Sequence, residues 1–230
     1  AGNDGDIDSA LDLSSIVITS APANGTVTFN ADGTVSYVHN GSETTADVFS
    51  YTIKDAQGLT SAPVSVNIAV TGVNDLPVID TTSPNFDPTS GNYSATTEED
   101  TPVSGQVVAT DADGNTLSYA MGTGPGNGVV TVNPDGSWTY TPGANFNGSD
   151  SFVVAVSDGQ GGVTNATVNI GVTAVNDAPI ANADSATVAE GGTVVIHLAG
   201  NDSDVDSALD LSSIVITSAP THGSVTVNAN

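Results

Sequence analysis

The sequence predicts an all-β protein made of tandem Greek-key β-sandwich repeats in an extended array, and three observations carry that expectation. Apolar residues recur with a period of two: Val27 and Phe29 alternate with Thr26 and Thr28, and Val35 and Tyr37 with Thr34 and Ser36. Phe49, Tyr51 and Ile53 form a third run, and Val64, Val66, Ile68 and Val70 a fourth. Such alternation puts every second side chain on one face, as in a strand with one buried and one wet side. Gly, Pro and Asn punctuate these runs at short intervals, which suits short strands joined by tight turns, and no stretch shows helical spacing. The sequence also repeats itself with a period of about 100 residues, the size of one small domain.

The repeats set the boundaries. Residues 1–32 and 199–230 differ at only seven positions: Gly5/Ser203, Ile7/Val205, Ala23/Thr221, Asn24/His222, Thr26/Ser224, Phe29/Val227 and Asp32/Asn230. A more diverged copy lies between them. NADGTVSY (Asn30–Tyr37) matches NPDGSWTY (Asn133–Tyr140), DVFSYTIKDAQG (Asp47–Gly58) matches DSFVVAVSDGQG (Asp150–Gly161), and VTGVNDLP (Val70–Pro77) matches VTAVNDAP (Val172–Pro179). We therefore expect one repeat over 1–76 lacking its opening strands, a complete repeat over 77–177, and a third over 178–230 lacking its second half. Such a chain reads as a window on a longer array. The middle repeat carries an 11-residue excess between Pro77 and Glu99, compared with Pro179 to Glu190, which we expect to form a surface loop.

Turn chemistry fixes the register of the hairpin. A three-residue Ala31-Asp32-Gly33 loop with Gly33 left-handed places Phe29 opposite Val35 and Val27 opposite Tyr37, so apolar residues share a side. A two-residue turn would set Phe29 against Ser36. In the middle repeat Pro134 presets the same turn, and Val132 and Trp138 form the equivalent pair.

Charge narrows the function. The chain has 230 residues, with 26 Asp and Glu against one basic residue, Lys54, for a formal net charge of -25. Such a surface repels polyanions, so nucleic acid and anionic membranes are poor partners, and it attracts divalent cations. Apolar alternation supplies buried faces despite that charge, so the carboxylates must be accommodated on a folded scaffold. With no Cys, neither disulfides nor thiolate sites contribute. No apolar run reaches the length of about 18 residues that a membrane helix needs, so no membrane insertion is expected.

The acids are placed unevenly. Asp111-Ala-Asp113-Gly-Asn115, Asp4-Gly-Asp6-Ile-Asp8 and Asp202-Ser-Asp204-Val-Asp206 each follow a predicted strand or its equivalent. Alternate acids in a loop can converge oxygens on a hard cation, and Ca²⁺ accepts six to eight of them at about 2.3–2.6 Å. The EF-hand pattern is absent. The alternative for any one such Asp is capping of its own turn.

EEDTPVSGQVVATDADGNTLSY (Glu98–Tyr119), followed by VAVSDGQGGVTNATVNIGVTAVNDAP (Val154–Pro179), resembles the cadherin repeat. In that family an acid before a P-V-G turn, a D-x-D loop, a later Asp and an N-D-x-P linker together hold calcium between consecutive domains. The whole chain is similar to the bacterial cadherin-like and Ig-like tandem repeats of large secreted adhesins of the RTX type, exported by type I secretion. At the first junction the resemblance implies Ca²⁺ ligands Asn74, Asp75, Asp111, Asp113 and Asp158, with Asp47 from the preceding repeat. At the second it implies Glu99, Asp150, Asn176, Asp177, Asp202 and Asp204. Asp4, Asp6 and Asp55 would serve a junction upstream. Asp47 and Asp150 lack the neighbouring acid found in the family, so capping of their turns stands beside the metal reading. The linkers carry fewer acids than cadherin linkers, which implies one or two ions per junction.

The function implied is structural: an extender of a bacterial cell-surface adhesin, extracellular, stiffened by calcium, its partners the neighbouring repeats of its own chain. A host or biofilm surface ligand would bind through other domains. Two alternatives remain open, a glycan- or protein-binding module and a calcium-independent Ig-like spacer attached to an extracellular enzyme. No catalytic arrangement is legible. His39, His197 and His222 lie in separate segments, no G-x-S-x-G elbow occurs, and the Gly-rich Gly122–Gly128 leads into a predicted strand rather than a helix. Trp138 and Tyr140 read as core aromatics.

Overall fold

A computed structural model describes residues 3–30 and 32–228. In the first repeat the strands are β1 (Leu11–Ser20), β2 (Gly25–Phe29), β3 (Val35–His39), β4 (Ala46–Asp55) and β5 (Val64–Ala69). The middle repeat holds β6 (Val78–Ile79), β7 (Phe86–Asp87), β8 (Asn92–Glu98), β9 (Val103–Gln106), β10 (Ala109–Thr110), β11 (Ser118–Thr123), β12 (Gly128–Val132), β13 (Ser137–Pro142), β14 (Gly148–Ser157) and β15 (Val163–Thr173). The one helical element among the described residues is a 3-10 turn at Leu211–Ser213.

The chain forms two compact units. The first takes in the chain through Val78 together with Ala109–Ser118 and Val156–Thr164. The second takes in Ile79–Val108, Tyr119–Ala155 and the chain from Asn165 onward. The loops carrying Asp111, Asp113 and Asp158 thus belong to the same compact unit as Asn74 and Asp75.

The middle repeat is a sandwich. One sheet runs β11-β14-β15-β8-β7 and the other β12-β13-β9. Alternation decides the core: Phe152, Val154 and Val156 on β14 and Ala166, Val168, Ile170 and Val172 on β15 are buried, while the residues between them are not. From the facing sheet come Trp138 and Tyr140. Trp138 meets Phe152 edge-on at 5.2 Å, and Tyr140 stacks parallel to Phe152 at 6.5 Å. The Trp138 ring fits because residue 105, its cross-strand neighbour, is Gly. A Cβ there would stand 2.4 Å from the indole.

The hairpins adopt the expected register. Phe29 pairs with Val35 and Val27 with Tyr37, and Val132 pairs with Trp138. Gly33 takes φ 84° and Gly136 φ 85°, the left-handed positions that close each turn. Ala31, the first residue of the first turn, lies outside the described residues.

The 11-residue excess is not merely a loop, as expected from sequence. It builds β7, which pairs with β8 through Phe86↔Tyr93 at the sheet edge, and the two rings meet edge-on at 5.5 Å. Aromatic cross-strand packing favours a strand over a loose excursion.

The ten residues LDLSSIVITS occur twice, at Leu11–Ser20 and Leu209–Ser218. In both copies the Asp at the second position (Asp12, Asp210) accepts the N–H of the Ser two residues on at 3.0 Å, so the local turn is the same. The first copy is nonetheless a ten-residue strand, because β4 supplies backbone partners from Leu11↔Asp55 to Ser20↔Ser50. The second copy has no strand paired beside it among the described residues. The expected third repeat accordingly shows no strand among its described residues, only the bridge Ile180↔Ser203 and the 3-10 turn. Unpaired backbone does not hold a strand in water.

Two outcomes follow. Phe152→Ala should cost about 3–5 kcal/mol of stability, measured by denaturant unfolding. Hydrogen exchange, followed in peptides extended to the differing residues Ile7 and Val205, should show Leu11–Ser20 protected and Leu209–Ser218 open.

Candidate metal centres around Asp75 and Asp177

The first centre gathers four loops of one compact unit. Glu43 comes from the β3–β4 loop and Asn74 and Asp75 from the segment after β5. Asp111, Asp113 and Asn115 come from the β10–β11 loop and Asp158 from the β14–β15 turn. Asp111 accepts the Asn115 N–H on Oδ1 at 3.1 Å and the Gly114 N–H on its carbonyl at 3.3 Å, which folds the D-x-D-G-N loop back on itself. Asp158 Oδ1 likewise caps its own turn, accepting from Gln160 N at 2.7 Å and Gly162 N at 2.9 Å. Its other oxygen accepts from the Asn74 side-chain amide at 2.7 Å, and the Asp75 N–H donates to Asp113 Oδ2 at 2.8 Å. These two bonds seat the N-D pair against the D-x-D loop.

Three carboxylates then crowd. One oxygen each from Glu43, Asp75 and Asp113 lie within 4.8 Å of one another. Partial loss of water around Glu43, followed by the hydrogen bond and charge of Asp113 and the charge of Asp75, pushes the Glu43 carboxyl above its ordinary range. Asp158 goes the other way, held low first by the Asn74 amide.

The second centre repeats the linker bonds of the first, while the cluster of three carboxylates is found only in the first among the described residues. The Asn176 amide donates to the Asp177 carbonyl at 2.9 Å, as Asn74 does to the Asp75 carbonyl at 3.1 Å. The Asp177 N–H donates to Asp206 Oδ2 at 2.6 Å, the counterpart of the Asp75–Asp113 bond. Parallel pairing of β15 with β8, ending at Thr173↔Glu98, brings Glu99 beside this linker, where its Oε1 accepts from Val175 N at 2.5 Å. Glu98 is exposed and Glu99 only 4% exposed. Burial and then the charges of Asp206, Asp100, Glu99 and Asp204 push the Asp177 carboxyl up.

Each centre also contains an enclosed carboxylate oxygen with no hydrogen-bond donor, Asp111 Oδ2 in the first and Glu99 Oε2 in the second. A buried anionic oxygen without a partner is costly. An all-oxygen set of carboxylates and amide carbonyls around such atoms fits a hard divalent cation and supplies no soft ligand.

Several residues proposed from sequence sit elsewhere. Asp47 accepts from the N–H groups of Ala23, Asn24 and Val48 and from the Tyr37 hydroxyl. Asp150 does the same with Gly126, Asn127, Ser151 and Tyr140. Burial opposes ionisation at both, yet these donors outweigh it and hold each carboxyl low. Both side chains therefore tie a loop to a strand inside one repeat, the capping role rather than the metal role. Asp204 turns into its own loop, accepting from Asp206 N and Ser207 N, and Asp206 takes the place against Asp177. Asp202 Oδ1 accepts from Asn182 N at 2.7 Å. Asp4, Asp6 and Asp55 line one open concavity with Tyr51, whose hydroxyl donates to Asp4 at 2.6 Å and is thereby raised to about 12.

Sequence reading missed Glu43, Asp206, Asp100 and Asn145. For Asp206 the signal was present, since D-S-D-V-D holds two overlapping D-x-D pairs; the gap-free alignment selects Asp202 and Asp204, while the Asp177 N–H meets Asp206. Glu43 stands alone in a polar loop, with no pattern to mark it.

Residues 74–171 and 176–230 match the family model of the bacterial Ig domain, and residues 1–72 that of the bacterial cadherin-like domain. The chain belongs to the bacterial Ig domain family. Domains of this kind are typically non-catalytic. No curated relative matches the sequence. Among solved structures, human cadherin-23 repeats 21–23 superpose with a TM-score of 0.52 at 17% identity, over 84% of this chain and 69% of that one. Mouse cadherin-23 repeats 22–24 give 0.46 at 21% identity, over 76% and 59%. An endo-fucoidan hydrolase of glycoside hydrolase family 107 gives 0.33 at 22% identity; this chain spans 73% of its own length there and 24% of the hydrolase. The cadherin likeness shows the fold. No helix among the described residues is long and apolar enough to cross a membrane.

Asp47→Ala and Asp150→Ala should each lower the melting temperature by several degrees, by the same amount in calcium and in chelator. A ligand's removal would shrink the calcium-induced shift instead.

Proposed function

We propose that this chain is a structural extender segment of a bacterial cell-surface adhesin, its consecutive repeats tied together by Ca²⁺ at the junctions, and that it is not an enzyme. The observation that supports this reading is the recurrence of one plan at two places: an N-D linker pair bonded to a D-x-D loop, beside an enclosed carboxylate oxygen without a donor. No hydrogen-bond donor of the protein meets Asp111 Oδ2 or Glu99 Oε2, and the chain offers a single basic side chain, Lys54, to offset 26 acids. A cation is what remains to balance the crowded oxygens.

In the first centre Asp75, Asp113, Asp111 and Glu43 would hold the ion, with the Asn74 amide fixing Asp158 alongside. In the second Glu99, Asp177, Asp206 and Asp100 would do so. The ion supplies charge neutralisation and a fixed link between a linker and the loops on either side of it. Without it the carboxylates repel. Extracellular calcium modules work at dissociation constants of about 10⁻⁴–10⁻³ M, far above cytosolic levels, so the array would stay loose in the cell and stiffen outside after type I secretion.

Calorimetric melting tests this. Calcium at about 100 times the dissociation constant stabilises by about 2.7 kcal/mol per site, which should raise the melting temperature by about 10 °C or more over chelator for a repeat this size. Superimposable curves in calcium and chelator would overturn the reading. Glu43→Gln should raise the melting temperature in chelator, because it removes a crowded charge, and reduce the gain from calcium, because it removes a ligand. The sign follows from the raised carboxyl: the folded state holds its proton more tightly than the unfolded chain, so ionising Glu43 costs stability until a cation offsets it.

A further inference from the structure

Two residues other than Gly take a left-handed backbone among the described residues, Asp100 at φ 56° and Asn145 at φ 55°. They lie 45 positions apart in sequence and are bonded to each other, Asn145 N–H to Asp100 Oδ1 at 3.1 Å. One end of the Asn145 side-chain amide sits 3.2 Å from Asp100 Oδ2 and 3.2 Å from Asp177 Oδ2. If that end is the nitrogen, it donates to both carboxylates. If it is the oxygen, three oxygens face one another, an arrangement that needs a cation or a carboxyl proton between them. Rotation by 180° about the last side-chain bond exchanges the two states without moving the backbone; the other end of the amide faces donors, so the nitrogen-inward state satisfies both ends and the oxygen-inward state needs the cation to offset that loss. Next to this group, Glu99 is 4% exposed and its Oε2 has no donor.

We infer that Asn145 is a two-position ligand of the second centre: its amide nitrogen bridges Asp100 and Asp177 when no cation is bound, and its amide oxygen faces the cation when one is. The inference rests on the calcium reading above and goes beyond it. Asn145 lies in the β13–β14 loop, the counterpart of the β3–β4 loop that supplies Glu43 to the first centre. Each centre thus draws one group from the same loop, a carboxylate in the first and an amide in the second. The carboxylate adds charge beside Asp113 and Asp75. The amide bridges its neighbours, so the empty second centre has a side-chain tie from this loop where the first has an added charge.

The test uses the full chain. Asn145→Asp keeps the shape and tolerates the left-handed backbone, but it replaces the bridging donors with a further negative charge. It should lower the melting temperature in chelator by several degrees and tighten calcium binding at one class of sites about ten-fold in titration calorimetry, as an added carboxylate ligand would. Asn145→Gly removes the side chain while suiting the backbone. It should lower the chelator melting temperature and weaken calcium binding several-fold. In the wild-type protein, the Asn145 side-chain NH₂ resonances should shift on calcium addition, reporting the loss of two hydrogen bonds. Wild-type calcium binding with both variants matching it, or with unmoved Asn145 NH₂ resonances, overturns this inference alone. No calcium binding by the wild type overturns it together with the calcium reading.

Discussion

Carboxylates brought closer together than their own charges favour are the constraint on which the rest of this structure depends. At Asp75 and again at Asp177, a linker N–H is spent on a loop carboxylate and the linker's Asn is spent on fixing its neighbour. At Asp75 one oxygen each of Glu43, Asp75 and Asp113 is left within 4.8 Å of the others, and at Asp177 burial and the charges of Asp206, Asp100, Glu99 and Asp204 bear on one carboxyl. In water such groups would separate or protonate, and Glu43 and Asp177 both register the strain by holding their protons more tightly. The scaffold can sustain this because the middle repeat is anchored elsewhere, by Trp138, Tyr140 and Phe152 between two sheets. The acids at its ends need contribute nothing to its core.

The same chemistry does two jobs in this chain, and geometry separates them. Asp47 and Asp150 are surrounded by donors, three backbone N–H groups and a tyrosine hydroxyl each. They are saturated and structural. Asp111 and Glu99 are enclosed but keep an oxygen without a donor. An acid ringed by donors holds a loop; an enclosed carboxylate oxygen without a donor is the feature on which the proposed cation sites rest.

Much of the fold was legible because period-two alternation and turn residues are local signals. The register of Phe29 with Val35 and of Val132 with Trp138 follows from where a Gly can turn left-handed. Long-range pairing was not legible. LDLSSIVITS is a strand at Leu11–Ser20 and not at Leu209–Ser218, so those ten residues carry no decision of their own; the presence of β4 makes it. The site was half legible. The linker pairs and the Asp111–Asp113 loop announce themselves by spacing. Asp206 was hidden by an ambiguous register, and Glu43, Asp100 and Asn145 are single residues in polar loops, meaningful only once folding brings them to the linker.

The most direct measurement is an anomalous difference map from crystals grown in calcium. The account predicts peaks at both centres, about 2.3–2.6 Å from carboxylate oxygens of Asp75 and Asp113 in one and of Glu99 and Asp177 in the other. A well-ordered crystal in abundant calcium, with those carboxylates turned to solvent and no peak between them, would contradict it.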